Sequence, residues 1–173
     1  MSVECIKAAI RSIPDFPKPG ILFKDITPVL SDENLLEMAV DVMSEPYKNN
    51  KPTKIVGLES RGFIFGVALA CKLGVGFVPI RKKGKLPYKT YEASYQLEYG
   101  SASMEIHQDA LTENDKVVIV DDLLATGGTM AAAIELVNKL KAKILGLEFL
   151  IELEALNGRR KIKGYNLNSI VIY

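Results

Sequence analysis

With 173 residues, 48% of them hydrophobic and 25% charged, the chain can bury one sizeable core and is too short for two ordinary domains, so a single domain over 1–173 is expected. Its 22 basic and 21 acidic side chains leave a net charge of +1, which argues against nucleic acid or a membrane surface as partner and requires any basic site to be local. Cys5 and Cys71 lack CxxC or metal-ligand spacing, the first residues lack a signal-peptide pattern, and every apolar run falls short of the ~18 residues of a membrane span; a reducing cytoplasm is the expected location.

Taken in chain order, the segment IPDFPKPGILFKDITPVL (13–30) holds four prolines and one glycine, which predicts an ordered but irregular stretch rather than a helix. Leu36, Ala39, Val40 and Met43 then share one helical face. KIVGL (54–58), GFVPI (76–80), KVVIV (116–120) and ILGLEFLI (144–151) are mostly continuous apolar runs, the pattern of strands covered on both faces. Between them lie a helix over Ser60–Leu73, closed by Gly74 as its C-cap, and another whose Met130, Ala133, Ile134, Val137 and Leu140 fall on one side. ASYQLEYGSASMEI (93–106) instead alternates Tyr95, Leu97 and Tyr99, then Met104 and Ile106, around Gly100, which predicts a β-hairpin appended to the sheet. The expected fold class is α/β, an open, mainly parallel sheet with helices on both faces, with ligands bound beyond the carboxyl ends of the strands.

Each chemical motif falls at such an end. VVIVDDLLATGGTMAAAI (117–134) delivers two carboxylates, Asp121 and Asp122, and then Ala125-Thr126-Gly127-Gly128-Thr129 before a helix. Free amides at a helix start favour an anion, glycine permits close approach, and the threonine hydroxyls add donors. The loop lacks the lysine of a Walker A element and is not GxGxxG, so nucleoside triphosphate hydrolysis and dinucleotide binding lose ground. A carboxylate accepts hydrogen bonds from vicinal sugar hydroxyls and repels phosphate, so a ribose 5-phosphate suits both halves of the motif; the alternatives for an isolated acid pair are helix capping and metal binding. In GLESRGFIFG, Glu59-Ser60-Arg61-Gly62 puts amides and a guanidinium at a second strand end, suited to bidentate phosphate contact, or else simply caps a helix. RKKGK gathers Arg81, Lys82, Lys83 and Lys85 at a third; alone, such a run would be a solvated loop.

These residues resemble the signature of the type I phosphoribosyltransferases, and FPKPGILFKDITPVL, GLESRGFIFG, PIRKKGKLP, YQLEYG and VVIVDDLLATGGTM, in that order across nearly the whole chain, resemble its adenine-specific branch. The resemblance implies transfer of the 5-phosphoribosyl group from phosphoribosyl pyrophosphate to adenine, giving AMP and pyrophosphate in purine salvage, with Mg²⁺ held mainly by substrate oxygens and by no direct protein ligand. It implies that Asp121, Asp122 and the Ala125–Thr129 loop bind ribose and 5-phosphate. Pyrophosphate falls to Glu59, Ser60 and Arg61, commonly with a cis Glu59–Ser60 peptide, together with Arg81, Lys82 and Lys85. For adenine it implies Phe23 stacking, main-chain groups of Leu22 and Lys24, and a wall of Leu123 and Leu153, under a hood formed by residues 1–30. The hairpin becomes a lid (82–106) that carries Glu98 and Tyr99 over the substrates and excludes water. Related 6-oxopurine enzymes place an aspartate where this chain has Ala125, which leaves Glu98 as candidate general acid or base; Arg61, Glu98 and Tyr99 form the expected catalytic set. The family pattern also implies a homodimer and allows Arg81 a role across its interface. Lys24 departs from the pattern, which often has arginine there, YKTYEA (88–93) matches nothing interpretable, and His107, the single histidine, receives no role.

Two other readings compete. Transfer to hypoxanthine, guanine, xanthine or orotate is disfavoured by Ala125 and the N-terminal hood. A regulator that binds phosphoribosyl pyrophosphate as effector and nucleic acid as partner would need a basic surface or an extra domain, and the chain has neither the charge nor the length.

Overall fold

The apolar runs pair at the centre of a sheet, where β-branched side chains pack best. A computed structural model describes residues 2–96 and 101–173, which divide into two compact units, one up to Val42 and one from Met43 to Tyr173.

In the N-terminal unit α1 (Val3–Ala9) precedes a two-stranded antiparallel ribbon of β1 (Arg11–Ile13) and β2 (Phe23–Asp25), in register Ser12 to Lys24 and Ile13 to Phe23. The connection between them contains a cis Phe16–Pro17 peptide and turns at Gly20, whose φ of 84° suits glycine. The expectation of no helix across 13–30 is corrected at its end: Thr27–Ser31 forms the short α2. Pro28 sits in its first turn, where a missing amide costs no hydrogen bond. The Asp25 carboxylate accepts the Thr27 amide at 2.9 Å and its hydroxyl at 3.0 Å, which turns the chain into that helix. Next, α3 (Glu33–Ser44) starts at Asp32, whose Oδ1 accepts the Asn34 and Leu35 amides. Of its expected apolar face, Ala39, Val40 and Met43 are buried and Leu36 partly so, and Leu35 joins them.

The larger unit holds seven strands: β3 (Lys54–Leu58), β4 (Gly76–Lys82), β5 (Thr90–Gln96), β6 (Ser101–His107), β7 (Lys116–Leu124), β8 (Lys143–Glu152) and β9 (Leu167–Ile172). They lie in the order β5-β6-β4-β3-β7-β8-β9. β4, β3, β7, β8 and β9 run parallel, whereas β6 joins β4 antiparallel and pairs with β5 as the expected hairpin. Leu97, Glu98, Tyr99 and Gly100 at its turn lie outside the described residues. The sequence did not single out β9, because Asn168 and Ser169 interrupt its apolar run.

Helices cover both faces. Val117, Ile119, Leu147 and Phe149 are buried in one cluster with Met130, Ala133, Ile134 and Val137 of α5 (Gly128–Lys139). Val118 and Val120, also fully buried, alternate to the other face, where α4 (Gly62–Leu73) packs on β3 and β7. Each such aliphatic side chain contributes roughly 1.5–3 kcal/mol by leaving water. Gly74, at φ 62°, ends α4 as its C-cap. Close approach is built in at one spot: a Cβ on Gly57 of β3 or Gly66 of α4 would come within 2.6 Å or 2.8 Å of the Phe77 ring from β4. Glu148 of β8, 1% exposed beside a cavity of about 200 Å³, accepts the Tyr47 hydroxyl at 2.6 Å and the Asn168 amide at 3.0 Å, and burial pushes its carboxyl up to about 7. Among the described residues no helix is long and apolar enough to cross a membrane.

Candidate active site

The carboxyl ends of the parallel strands gather the polar motifs, beginning with β7, which closes on Asp121, Asp122, Leu123 and Leu124. Asp121 Oδ1 accepts the Asp122 amide at 2.9 Å. Asp122 is 5% exposed and lies 2.7 Å from the Arg61 guanidinium, yet its Oδ2 is buried and takes no aligned hydrogen bond. Burial raises Asp121 well above the usual carboxylate range, and the adjacent Asp122 charge adds to the effect; burial raises Asp122 as well, against the pull of Arg61. The pair is therefore short of donors and of positive charge, which the hydroxyls of a sugar would relieve and a phosphate would worsen.

The next turn supplies donors in the opposite balance. Gly127, at φ 78°, opens α5, and the first helical bond runs from the Ala131 amide to the Gly127 carbonyl. The Gly128, Thr129 and Met130 amides precede that bond and point out of the helix start, where the dipole favours an anion. Only glycine serves at 127, since a Cβ there would lie 2.5 Å from the Gly158 carbonyl oxygen as well as suffer the left-handed φ. Asp121, Leu123, residues 124–130 and Phe149 line a cavity of about 60 Å³ at this point.

At the end of β3 the Glu59–Ser60 peptide is cis, as the resemblance implied. The Glu59 side chain, 7% exposed, turns toward the end of β4 and accepts Lys85 Nζ at 2.6 Å, the Lys82 amide at 3.0 Å and Arg81 Nε at 3.3 Å. Burial raises its pKa, but these donors outweigh that and hold it down to about 2. Arg81 also donates to the Lys85 carbonyl at 3.1 Å. The basic run is thus wrapped around a buried carboxylate, with Glu59 ordering the cations. The Lys82 ammonium is exposed and makes no ion pair among the described residues, whereas Lys83 is tied to Glu92 of β5 at 2.8 Å. Arg61, at the N-cap of α4 two residues after Glu59, turns to the acid pair through Asp122.

The remaining expected residues are distributed more widely. Leu123 and Leu153 stand at the ends of neighbouring β7 and β8, and the Leu153 amide donates to the Leu124 carbonyl at 2.9 Å. Leu22, Phe23 and Lys24 belong to the N-terminal unit: Leu22 is 53% exposed, Phe23 packs edge-on against Phe16 at 5.1 Å, and Lys24 donates to Ser12 Oγ at 2.9 Å. Glu98 and Tyr99 lie outside the described residues. Gly62, read in the sequence only as part of the Glu59-Ser60-Arg61-Gly62 motif, is also a point of close approach, where a Cβ would meet the Val120 carbonyl at 2.8 Å and Asp121 Oδ1 at 3.0 Å. Sequence reasoning passed over Glu152 and Arg159, which pair across seven residues, and Gly158, whose contacts at Ala125 and Gly127 are remote in sequence; the one available signal was an Asn-Gly-Arg turn just past a strand end.

A parallel sheet with an acid pair and an open helix start at its carboxyl edge defines a class of phosphoribosyl-transfer proteins, and the model of the Phosphoribosyl transferase domain matches residues 31–171. The adenine phosphoribosyltransferase of Francisella philomiragia is 58% identical over 175 aligned positions, covering 100% of both chains. The crystal structure of adenine phosphoribosyltransferase from Thermoanaerobacter pseudethanolicus superposes with a TM-score of 0.96 at 50% identity, covering 99% of this chain and 100% of that one. That of the Saccharomyces cerevisiae enzyme, complexed with an imino-altritol bisphosphate and adenine, gives 0.92 at 44% identity, covering 97% of each. The chain belongs to the adenine phosphoribosyltransferases, which transfer the 5-phosphoribosyl group of phosphoribosyl pyrophosphate to adenine and form AMP and pyrophosphate in purine salvage.

Proposed function

We propose that the strand ends divide this reaction among them. Asp121 and Asp122 grip the vicinal hydroxyls of ribose, while Ala125, Thr126, Gly127, Gly128 and Thr129 hold the 5-phosphate. Arg61, Arg81, Lys82 and Lys85 receive the pyrophosphate, with Glu59 and Ser60 shaping that corner. The observation that carries this reading is the buried, under-satisfied acid pair beside an open helix start. As the bond from C1′ to pyrophosphate breaks, the leaving group gains charge, and fixed cations stabilise it most at that moment.

Family membership supports Phe23 stacking on adenine, contacts from the Leu22 and Lys24 main chains, the Leu123 and Leu153 wall, and the roles of residues 1–30 as hood and 82–106 as lid. It also supports Glu98 as general acid or base with Tyr99 beside it, a homodimer, and a cytoplasmic location. Ile64 and Val67, exposed one turn apart on α4, offer an apolar stripe for self-association. Mg²⁺ fits the electrostatics of the acid pair, which a single guanidinium leaves under-neutralised, with most ligands coming from the substrate; when bound it would offset charge on the pyrophosphate.

The test is pyrophosphate release on mixing phosphoribosyl pyrophosphate, Mg²⁺ and each purine in turn, for the wild type and for Glu98→Ala. Turnover with adenine alone is expected, reduced by ~10²-fold or more in the variant with AMP affinity retained. Equal turnover with hypoxanthine or guanine would sink the base assignment, and an unchanged variant would sink the role of Glu98.

A further inference from the structure

We infer that the ion pair between buried Glu152 and the half-exposed Arg159 braces the phosphate loop, making both positioning residues that set the start of α5 without touching substrate. This rests on the reading that residues 125–129 take the 5-phosphate. Glu152, the last residue of β8, is 4% exposed, and Arg159 meets it with two parallel hydrogen bonds, Nε to Oε1 and Nη2 to Oε2, each 2.6 Å. Bidentate pairs of this kind fix orientation as well as distance. Arg159 holds the Glu152 carboxyl below the usual carboxylate range despite burial.

The pair closes a short excursion of chain. From Glu152 the backbone passes through a 3₁₀ turn (Glu154–Leu156), reverses at Asn157 with φ 53°, and enters a second 3₁₀ turn (Gly158–Ile162) that contains Arg159. Ile162, 3% exposed, anchors the far end in the core with α5. Gly158, between these anchors, is pressed against the loop: a Cβ there would collide with the Ala125 carbonyl oxygen, and would lie 3.1 Å from the Gly127 amide nitrogen. Gly127 has the reciprocal constraint against the Gly158 carbonyl. The loop therefore has a hard backing on the side away from its cavity, and the Glu152–Arg159 pair fixes where that backing stands. With the pair gone, Gly158 is free to withdraw, and the Ala125–Gly127 turn can relax with the amides it presents; a misplacement of about 1 Å is enough to cost large factors in a site of this kind.

Calorimetric titration of AMP and adenosine separates the possibilities, because only AMP carries the phosphate. Wild type should prefer AMP to adenosine; equal affinities would overturn the phosphate reading and this inference with it. Given that preference, Arg159→Ala should lower AMP affinity about tenfold and leave adenosine affinity within about twofold, with Arg159→Lys recovering part of the loss. Gly158→Ala, which displaces the loop directly and keeps the ion pair, should show the same selective loss. An AMP preference unchanged in Arg159→Ala, whatever happens to its melting temperature, would overturn the brace and leave the phosphate reading standing. Should Arg159→Ala fail to fold by circular dichroism, an unchanged preference in Gly158→Ala decides against the brace in the same way.

Discussion

Two strand ends of the larger unit carry carboxylates buried to a similar degree, and their electrostatics are opposite. At the end of β3, Glu59 is surrounded by Lys85, Arg81 and the Lys82 amide, and its carboxyl falls to about 2. At the end of β7, Asp121 and Asp122 share one guanidinium, and burial raises both. A satisfied acid stabilises the fold and has nothing left to offer a ligand; an unsatisfied pair costs stability and keeps its acceptors for something that arrives later. Residue type alone therefore does not separate scaffold from site, whereas the count of donors around each oxygen does.

Substitutions at the two strand ends should have opposite consequences. The largest effect should come from Asp121→Asn combined with Asp122→Asn: kcat/KM for phosphoribosyl pyrophosphate should fall by ~10³-fold, about 4 kcal/mol of transition-state stabilisation, while thermal stability at pH 7 holds or rises because two carboxyls that burial raises have been removed. A fall in melting temperature with unchanged kinetics would invert the assignment. Glu59→Gln should do the reverse, lowering stability in urea by about 2 kcal/mol at pH 7, a figure reduced from the full shift because Lys85 and Arg81 are partly solvated. Since the folded pKa of Glu59 lies below its unfolded value, its contribution is present above pH 4.5 and is lost as pH falls toward 2; the gap between variant and wild type should therefore narrow at pH 3. A gap that widens on acidification contradicts the sign. The smallest effect belongs to Lys82→Ala, expected to lower kcat/KM about tenfold with no change in melting temperature, because its exposed ammonium takes no part in the Glu59 cluster. Lys85→Ala provides the contrast and should lower activity and stability together.

Much of this was legible in the residues. KIVGL at 54–58 coincides with β3, and the expected face of α5 is buried throughout, because continuous apolar runs and 3.6-residue periodicity report burial directly. The loop at 125–129 could be read because glycine and a helix start have one local meaning. What escaped was long-range. The sequence presents Glu59 as one more phosphate contact, and its cations lie more than twenty positions downstream. Gly158 gains its meaning from Gly127 and Ala125, and no pattern within a window of ordinary length connects them. The β1–β2 ribbon and α2 were hidden for another reason: proline density signals irregularity on average and is silent about a three-residue strand or a helix that carries the proline in its first turn.

The ring of Phe77 fills the volume that side chains at Gly57 and Gly66 would otherwise need. Drift at this spot consequently has a direction. A lineage that first trims the aromatic can afterwards gain methyl groups at the two small positions, and one that attempts the opposite order meets a clash at its first step. Across distant descendants these three sites should change as a set, beginning with the aromatic.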